Sequence, residues 1–290
     1  MTHQTDSASP LSLFEGRRVD CTAHGQTAIV RLFNPNQGLM DEAMEGELMQ
    51  VLELLHDRQR WPEGRVVVLT GRDPGVFVRH YDVAVLHQRA QAMAARGKRF
   101  SLDRPVPPGG VHRCIDRIEA SELIFIAAIN GVAMGGGFEL ALGCDLRVVQ
   151  AGQFELGLPE LNLGLLPGAG GTQALARLLG TSASLHYLLT AHVFSPQELL
   201  ELRLAGACVD DALAQALRWA RQLQAVPARA CAHIKQLVRQ GPAWDLERAR
   251  AAGSTMQSQN RVRSAALPLM ADVAEGRRTI ADAPLATKTP

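Results

Sequence analysis

The sequence lacks an excess of either charge. Its 30 Lys and Arg residues and 29 Asp and Glu residues give a formal net charge of +1. Domains that bind nucleic acids usually carry a basic patch or stripe and a high isoelectric point. The balance therefore argues against a general nucleic-acid-binding role, although it leaves room for a local basic patch.

Long apolar runs are missing as well. No stretch approaches the roughly 20 apolar residues that a membrane-spanning helix needs. The polar opening MTHQTDSASP lacks the charged and apolar regions of a signal peptide. We therefore expect no membrane span, and a cytoplasmic location is the default prediction.

The cysteines form neither a disulfide framework nor a metal motif. Their odd number and wide separation fit reduced thiols better than disulfides. No cluster of His, Cys and carboxylates has metal-ligand spacing, so we expect no bound metal. The five cysteines are Cys21, Cys114, Cys144, Cys208 and Cys231.

The most informative stretch begins with the apolar run Phe125–Ile129, which has the length and branching of a buried strand. The glycine triplet 135–137 follows and leads into a short helical pattern. Unpaired amides at the start of a helix suit an oxygen that becomes negative during a reaction, where one donor is worth roughly 3 to 4 kcal/mol. Glu139 lies in the first turn of this helix, so the sequence predicts a carboxylate beside an anion-binding turn.

The same arrangement recurs about thirty residues later. Glu160 follows a Pro, and the glycine-rich turn 168–171 opens another helix. Because Glu160 lies 21 positions after Glu139, the two can meet only through a fold-back of the chain. Paired carboxyls around a cleft are suited to moving protons, since each environment tunes its own carboxyl.

These residues, in this order and spacing, resemble the enoyl-CoA hydratase/isomerase (crotonase) superfamily. The match consists of the glycine triplet with Glu139, then Pro159-Glu160, then the run Pro167 to Gln173. The resemblance implies an oxyanion hole with the Gly136 amide as one donor, Glu139 and Glu160 as the catalytic carboxylates, and Gly168 as the amide that helps to place the reacting water.

The second oxyanion donor implied by the family lies upstream, in the turn Gly71 to Val83. Alignment on Phe77 and Asp82 assigns this role to the amide of Tyr81. His80-Tyr81 replaces a small pair in the family, but a backbone donor does not depend on its side chain. The segment 84–122 also looks longer than its family counterpart, and Glu122-Leu123-Ile124 replaces a common Lys-Pro.

Each of these residues also has a structural interpretation without catalysis. Glu139 and Glu160 could be solvated helix carboxylates, residues 168–171 could form a plain helix-start turn, and Tyr81 could be a bulky loop residue. His80 and His112 lie near the predicted pocket, but a histidine in a loop is more often incidental, and neither is assigned a catalytic role.

The rest of the chain predicts an α/β fold. A hairpin around His24-Gly25, a helix over 41–58 and a strand over 65–70 indicate parallel pairing with a right-handed crossover. We expect a flexible N-terminus over 1–13, a crotonase-like core of repeated ββα units over 14–200, a helical C-terminal oligomerisation region over 201–275 and a flexible tail over 276–290. Ser195-Pro196-Gln197-Glu198 predicts a capping box.

The function implied by the resemblance is hydration of a trans-2-enoyl-CoA thioester, with no cofactor besides the coenzyme A of the substrate. The expected assembly is a homotrimer or a dimer of trimers. Two alternatives stay open: another crotonase-type reaction (double-bond isomerisation, thioester hydrolysis or carbon-carbon lysis), and a non-catalytic acyl-CoA-binding oligomer. The presence of both glutamates favours hydration.

Overall fold

The computed structural model describes residues 10–263 and 265–282. Within them the strands are β1 (Leu11–Glu15), β2 (Val19–His24), β3 (Thr27–Leu32), β4 (Val66–Gly71), β5 (Gly75–Val78), β6 (Ile124–Ile129), β7 (Gly131–Met134), β8 (Leu146–Gln150), β9 (Leu156–Gly157), β10 (Val193–Phe194) and β11 (Ala207–Val209).

The helices are α1 (Glu42–His56), α2 (Val83–Ala95), α3 (Gly110–Glu119), α4 (Gly136–Gly143), α5 (Gly171–Leu179), α6 (Thr181–Leu189), α7 (Pro196–Glu201), α8 (Ala212–Gln224), α9 (Ala228–Gln240), α10 (Leu246–Arg261) and α11 (Leu267–Ala274). Short 3₁₀ turns occupy Glu160–Leu163 and Gly241–Ala243. None of the helices in the described segments is both long and apolar enough to cross a membrane.

The larger sheet has seven strands in the order β1-β2-β3-β4-β6-β8-β11. The first three are antiparallel, and the remaining pairs are parallel. The predicted hairpin is confirmed, and so is the parallel pairing of β3 with β4. Because α1 connects these two parallel strands, it packs against the sheet through Leu48, Val51 and Leu55.

β4 and β6 are buried on both faces, as their continuous apolar runs predict. Alternate residues serve two cores, because successive side chains of a strand point to opposite faces. Val67 and Phe125 belong to the large core under α1, α3 and α4, whereas Val68 and Ile126 pack in a smaller core with the alanines of α8. The central strands are thereby fixed from both sides.

A second sheet of four short strands, in the order β10-β9-β7-β5, lies beside the glycine triplet. β5 and β7 are parallel neighbours, and the Met134 amide donates to the Arg79 carbonyl at 2.9 Å. At Gly137 a Cβ would lie 2.3 Å from the Val78 carbonyl oxygen, so only glycine permits this close approach. The sheet thus brings the end of β5 next to the start of α4.

The C-terminal helices are joined to the core by a buried ionic group. Lys235 of α9 contacts the Asp145 carboxylate at 2.8 Å and donates to the carbonyls of Ile118 and Leu123. Arg239 donates to the other oxygen of Asp145 at 2.9 Å. These contacts place α9 against the start of β6 and the end of α4.

The mixed α/β class is confirmed, with helices α8 to α11 dominating the described chain after residue 201. One boundary differs from the prediction of a flexible stretch over 1–13. Leu11–Leu13 belong to β1, because backbone pairing with β2 orders residues whose composition suggests a loose segment. Residues 1–9 and 283–290 of the predicted flexible ends lie outside the described residues, and 276–282 form turns and bends.

Candidate active site

The five residues selected from the sequence line one cavity of about 790 Å³. Glu139 comes from α4, Glu160 from the 3₁₀ turn, and Tyr81 from the residues after β5. Gly136 begins α4, and Gly168 lies in the turn before α5. The fold therefore brings together residues separated by up to 87 positions, while their chemical roles stay predictions.

Glu139 is held in place by a helix start. Its Oε1 accepts hydrogen bonds from the amides of Ala169 and Gly171, at 2.7 and 2.8 Å. The side chain is only 4% exposed, and burial raises the pKa of Glu139 above its ordinary value, whereas the two amides oppose the rise. This support fixes one carboxylate oxygen and leaves the other for a reactant.

Glu160 is supported differently. Its Oε2 is buried without a hydrogen-bond partner among the described residues, and its Oε1 lies 3.1 Å from where a Cβ on Gly135 would be. Burial raises the pKa of Glu160 to about 7, a backbone hydrogen bond opposes this rise, and the charge of Glu139 adds to it. Near neutral pH this carboxyl can both hold and release a proton.

The Gly136 amide is the first amide of α4 and cannot pair within its own helix. The preceding Gly135 has φ of 51°, a conformation that favours glycine, and its own amide donates to the Gly157 carbonyl at 2.9 Å. This turn directs the start of α4 at the cavity. Among the described residues the Gly136 amide has no acceptor, so it is available to a ligand oxygen.

The Tyr81 amide is left free by the geometry of a β-bridge. Met40 and Tyr81 form a parallel bridge, in which the Met40 amide donates to the His80 carbonyl and the Asp82 amide donates to the Met40 carbonyl, both at 2.8 Å. In a parallel pair, the bridged residue between these two groups directs its own amide to the opposite side. The part of the chain that the structure describes offers this amide no acceptor.

The Tyr81 side chain lies beside Glu45, a residue of α1 that the sequence analysis missed. Its hydroxyl is buried without a hydrogen bond of ordinary geometry to any described residue, and burial together with the Glu45 carboxylate raises the pKa of Tyr81. Glu45 accepts a hydrogen bond from the Val111 amide at 3.2 Å and also lines the cavity. No local motif marks Glu45, because only the tertiary contact of α1 with α3 brings it here.

Gly168 lies where the turn before α5 meets the cavity. A Cβ on Gly168 would have no atom within 4 Å, so the backbone is open to the cavity at this point. The rest of the wall is largely apolar. Its apolar side chains come from α2, α3 and the 3₁₀ turn with the residues after it: Val83, Leu86, Val111, Leu161, Leu163, Leu165 and Leu166.

The arrangement can polarise a carbonyl and move protons. Two amides without acceptors among the described residues and two carboxyls of different environment belong to residues that line the same cavity. Within residues 10–263 and 265–282, His, Cys, Asp and Glu side chains form no group of three suited to a metal. The absence of a cofactor stays a prediction.

Comparison with known proteins gives one family match over most of the chain. Residues 23–266 match the model of the family described as enoyl-CoA hydratase/isomerase. Among curated proteins, the chain is similar to the fatty acid oxidation complex subunit alpha of Aliivibrio fischeri, with 35% identity over 182 residues, which cover 61% of this chain and 24% of that protein. The chain spans about a quarter of the length of the first curated relatives it matches.

Solved structures also match almost the whole chain, and two of them illustrate the similarity. An enoyl-CoA hydratase from Geobacillus kaustophilus HTA426 aligns with a TM-score of 0.80 and 25% identity, over 93% of this chain and 98% of that one. An enoyl-CoA hydratase from Polaromonas sp. JS666 aligns with a TM-score of 0.77 and 29% identity, over 90% and 98% of the two chains.

Proposed function

The chain belongs to the enoyl-CoA hydratase/isomerase family, and on that premise we propose that it adds water across the 2,3 double bond of a trans-2-enoyl-CoA thioester. Its fold is the crotonase-like fold predicted from the sequence. The observation that carries the proposal is one cavity that holds two carboxyls together with two free backbone amides.

The amides of Gly136 and Tyr81 would bind the thioester oxygen. Conjugation makes C3 electrophilic, and attack by water at C3 moves electron density from the double bond to that oxygen. Donors that are already in place stabilise this charge without reorganisation, at roughly 3 to 4 kcal/mol for each well-placed donor. Collapse of the enolate then forms the new C–H bond at C2.

The two glutamates would divide the proton transfers. Glu139, held by two amides that favour its charged form, takes a proton from the water as its oxygen bonds to C3. Glu160, whose pKa is raised to about 7 mainly by burial, is partly protonated at neutral pH, and its protonated form gives the proton to C2. The π bond, one O–H bond of the water and the carboxyl O–H bond of Glu160 are broken, while the C–O bond, the C–H bond at C2 and a carboxyl O–H bond on Glu139 form. Loss of the proton from Glu139 to solvent and uptake of one by Glu160 then restore the starting state.

Hydration is tested directly with crotonyl-CoA and a longer enoyl-CoA. We expect loss of the enoyl absorbance and formation of 3-hydroxyacyl-CoA, identified by mass spectrometry, with butyryl-CoA as the unreactive control. Binding of the thioesters without any 3-hydroxyacyl product would contradict the proposal.

Double-bond isomerisation is the second candidate function. A single carboxyl with a pKa of about 7 can remove a proton at one carbon and return it at another, and Glu160 has this property. A 3-enoyl-CoA substrate separates the two reactions. An isomerase would convert it to the 2-enoyl isomer without further addition of water, whereas a hydratase would leave it unchanged.

A homotrimer or a dimer of trimers is part of the same proposal. Exposed apolar side chains on the C-terminal helices support an assembly of copies, because large apolar patches usually mark interaction surfaces: Ile234, Val238 and Leu246 are each at least 64% exposed. Light scattering on the purified chain measures the mass, and a monomer at assay concentration would contradict the proposal.

A further inference from the structure

Glu139 stands between two cavities. The cavity described above, here called the front cavity, adjoins a second one of about 390 Å³, here called the rear cavity. Five residues line both and form the partition between them: His112, Glu139, Leu166, Gly168 and Ala169. The carboxyl of Glu139 is therefore close to a space that the thioester would not occupy.

The rear cavity has polar groups in a mixed wall and reaches the surface. Asp116 of α3 and Thr172, Gln173 and Arg177 of α5 line it and do not line the front cavity. Gln173 and Arg177 are exposed, so the cavity opens to solvent on this side. The volume is large enough for water, and these polar side chains offer the two to four partners that a bound water needs.

His112 lies at the partition. It projects from α3, its Nε2 is 3.7 Å from Asp116 Oδ1, and its imidazole is partly exposed. His112 and Glu139 both line the two cavities, so the imidazole and the carboxyl border the same partition. An imidazole can donate to one water and accept from another, so His112 can join waters of the rear cavity to the carboxylate.

The proposed reaction requires such a route. Water is a reactant, and in the reverse direction it is a product that forms at Glu139. An acyl-CoA thioester in the front cavity would occupy the space next to Glu139 on that side. The partition is thin at Gly168, where there is no side chain and no atom lies within 4 Å of a Cβ position.

We propose that the rear cavity is the passage through which water reaches and leaves Glu139 while a thioester fills the front cavity, with His112 as a positioning residue for that water. The proposal rests on the proposed function for the identity of the reaction. It adds a second route into the site and a residue that the sequence analysis left without a role.

Two isotope exchanges at equilibrium test the passage. In a mixture of crotonyl-CoA and 3-hydroxybutyryl-CoA, one measures how fast ¹⁸O from solvent water enters the hydroxyacyl thioester. The other measures how fast ¹³C label moves between the two thioesters. If water leaves through the rear while the enoyl-CoA stays bound, oxygen exchange should be several-fold faster than carbon exchange. If water can leave only through the front, after the thioester has dissociated, oxygen exchange should never be faster than carbon exchange.

Two variants locate the effect. Thr172→Phe fills the rear cavity without lining the front, and His112→Leu removes the polar group at the partition; both should lower the ratio of oxygen to carbon exchange toward unity. His87→Leu, at an exposed position on α2 outside both cavities, should leave the ratio at the parental value. Because both exchanges are measured on the same sample, partial unfolding cancels from the ratio.

If the parent protein exchanges carbon label but its oxygen exchange is never faster, the passage is refuted, while the proposed hydration reaction is still supported. A parental ratio in Thr172→Phe and His112→Leu would also overturn it. A second measurement is independent of turnover: a crystal structure of the chain with butyryl-CoA should contain ordered waters that connect Glu139 with the surface through the rear cavity. A dry or closed rear cavity in that structure would refute the proposal.

Discussion

Glu139 and Glu160 face the same cavity but are supported by different kinds of structure. Glu139 lies on a buried helix and accepts hydrogen bonds from two backbone amides at the start of α5. Glu160 lies on a four-residue 3₁₀ turn, and one of its oxygens is buried without a partner in the described part of the chain. Identical side chains thereby acquire different proton affinities, which is what a pair of acid and base groups requires.

The largest effect should come from removing the charge that the helix start supports. Glu139→Gln keeps an oxygen that can accept from Ala169 and Gly171, so the fold should be retained, but it cannot take a proton from water. We expect the hydration rate to fall about 10³-fold, within the range of general acid-base catalysis. The measurement is kcat with crotonyl-CoA, with thermal unfolding as the control. A rate near that of the parent would contradict the role of Glu139 as the base, and with it the different roles proposed for the two carboxyls.

The pH dependence of the hydration rate should show the contribution of Glu160. Since the proposed acid must be protonated and its pKa is raised to about 7, activity should decline as the pH rises through about 7. Glu160→Gln should lose about 10²-fold in rate at neutral pH and also lose this alkaline limb. Rates from pH 5 to 9 in parent and variant test it, and persistence of the limb in the variant would assign it to another group.

A methyl group can disturb the support of Glu139 without changing its charge. At Gly171 a Cβ would lie 2.9 Å from Oε1 of Glu139 and 2.7 Å from Leu158 Cδ1, so Gly171→Ala should displace the carboxylate. We expect a loss of about 1–3 kcal/mol in unfolding free energy, which is typical of overpacking, together with a lower kcat. Gly46→Ala, a helical position with no atom within 4 Å, is the matched control. Equal behaviour of the two variants would contradict the tight fit at Gly171.

The smallest effect should appear in stability at alkaline pH. A carboxyl whose pKa is raised in the folded state loses its stabilising contribution as the pH rises from its ordinary value of 4.5 through about 7. Glu160→Gln should therefore be more stable than the parent at pH 8, on the order of 1 kcal/mol after a discount for partial exposure, and gain much less at pH 5. Denaturant titrations at both pH values measure the unfolding free energy of parent and variant. If the two proteins differ by the same amount at pH 5 and pH 8, the raised pKa of Glu160 is not the cause.

The elements that the sequence analysis predicted best are those with a local signal. The run that became β6 is apolar over its whole length, β4 is apolar over its first four residues, and the glycine triplet lies two positions before Glu139. The second sheet was missed because its strands are two to four residues long, too short for periodicity to register. Glu45 and the role of Asp145 were missed because their partners are distant in sequence.

At Tyr81 the direction of the backbone amide and the shape of the cavity wall depend on different parts of the residue. The direction of the amide is set by the register of Met40 against residue 81, so any residue type except proline at this position would keep the donor. The phenol beside it only shapes the wall that an acyl group would meet. If the proposed function holds, substitutions at position 81 would change which acyl groups fit while the proposed donor stays in place, so acyl preference could evolve here independently of the chemistry.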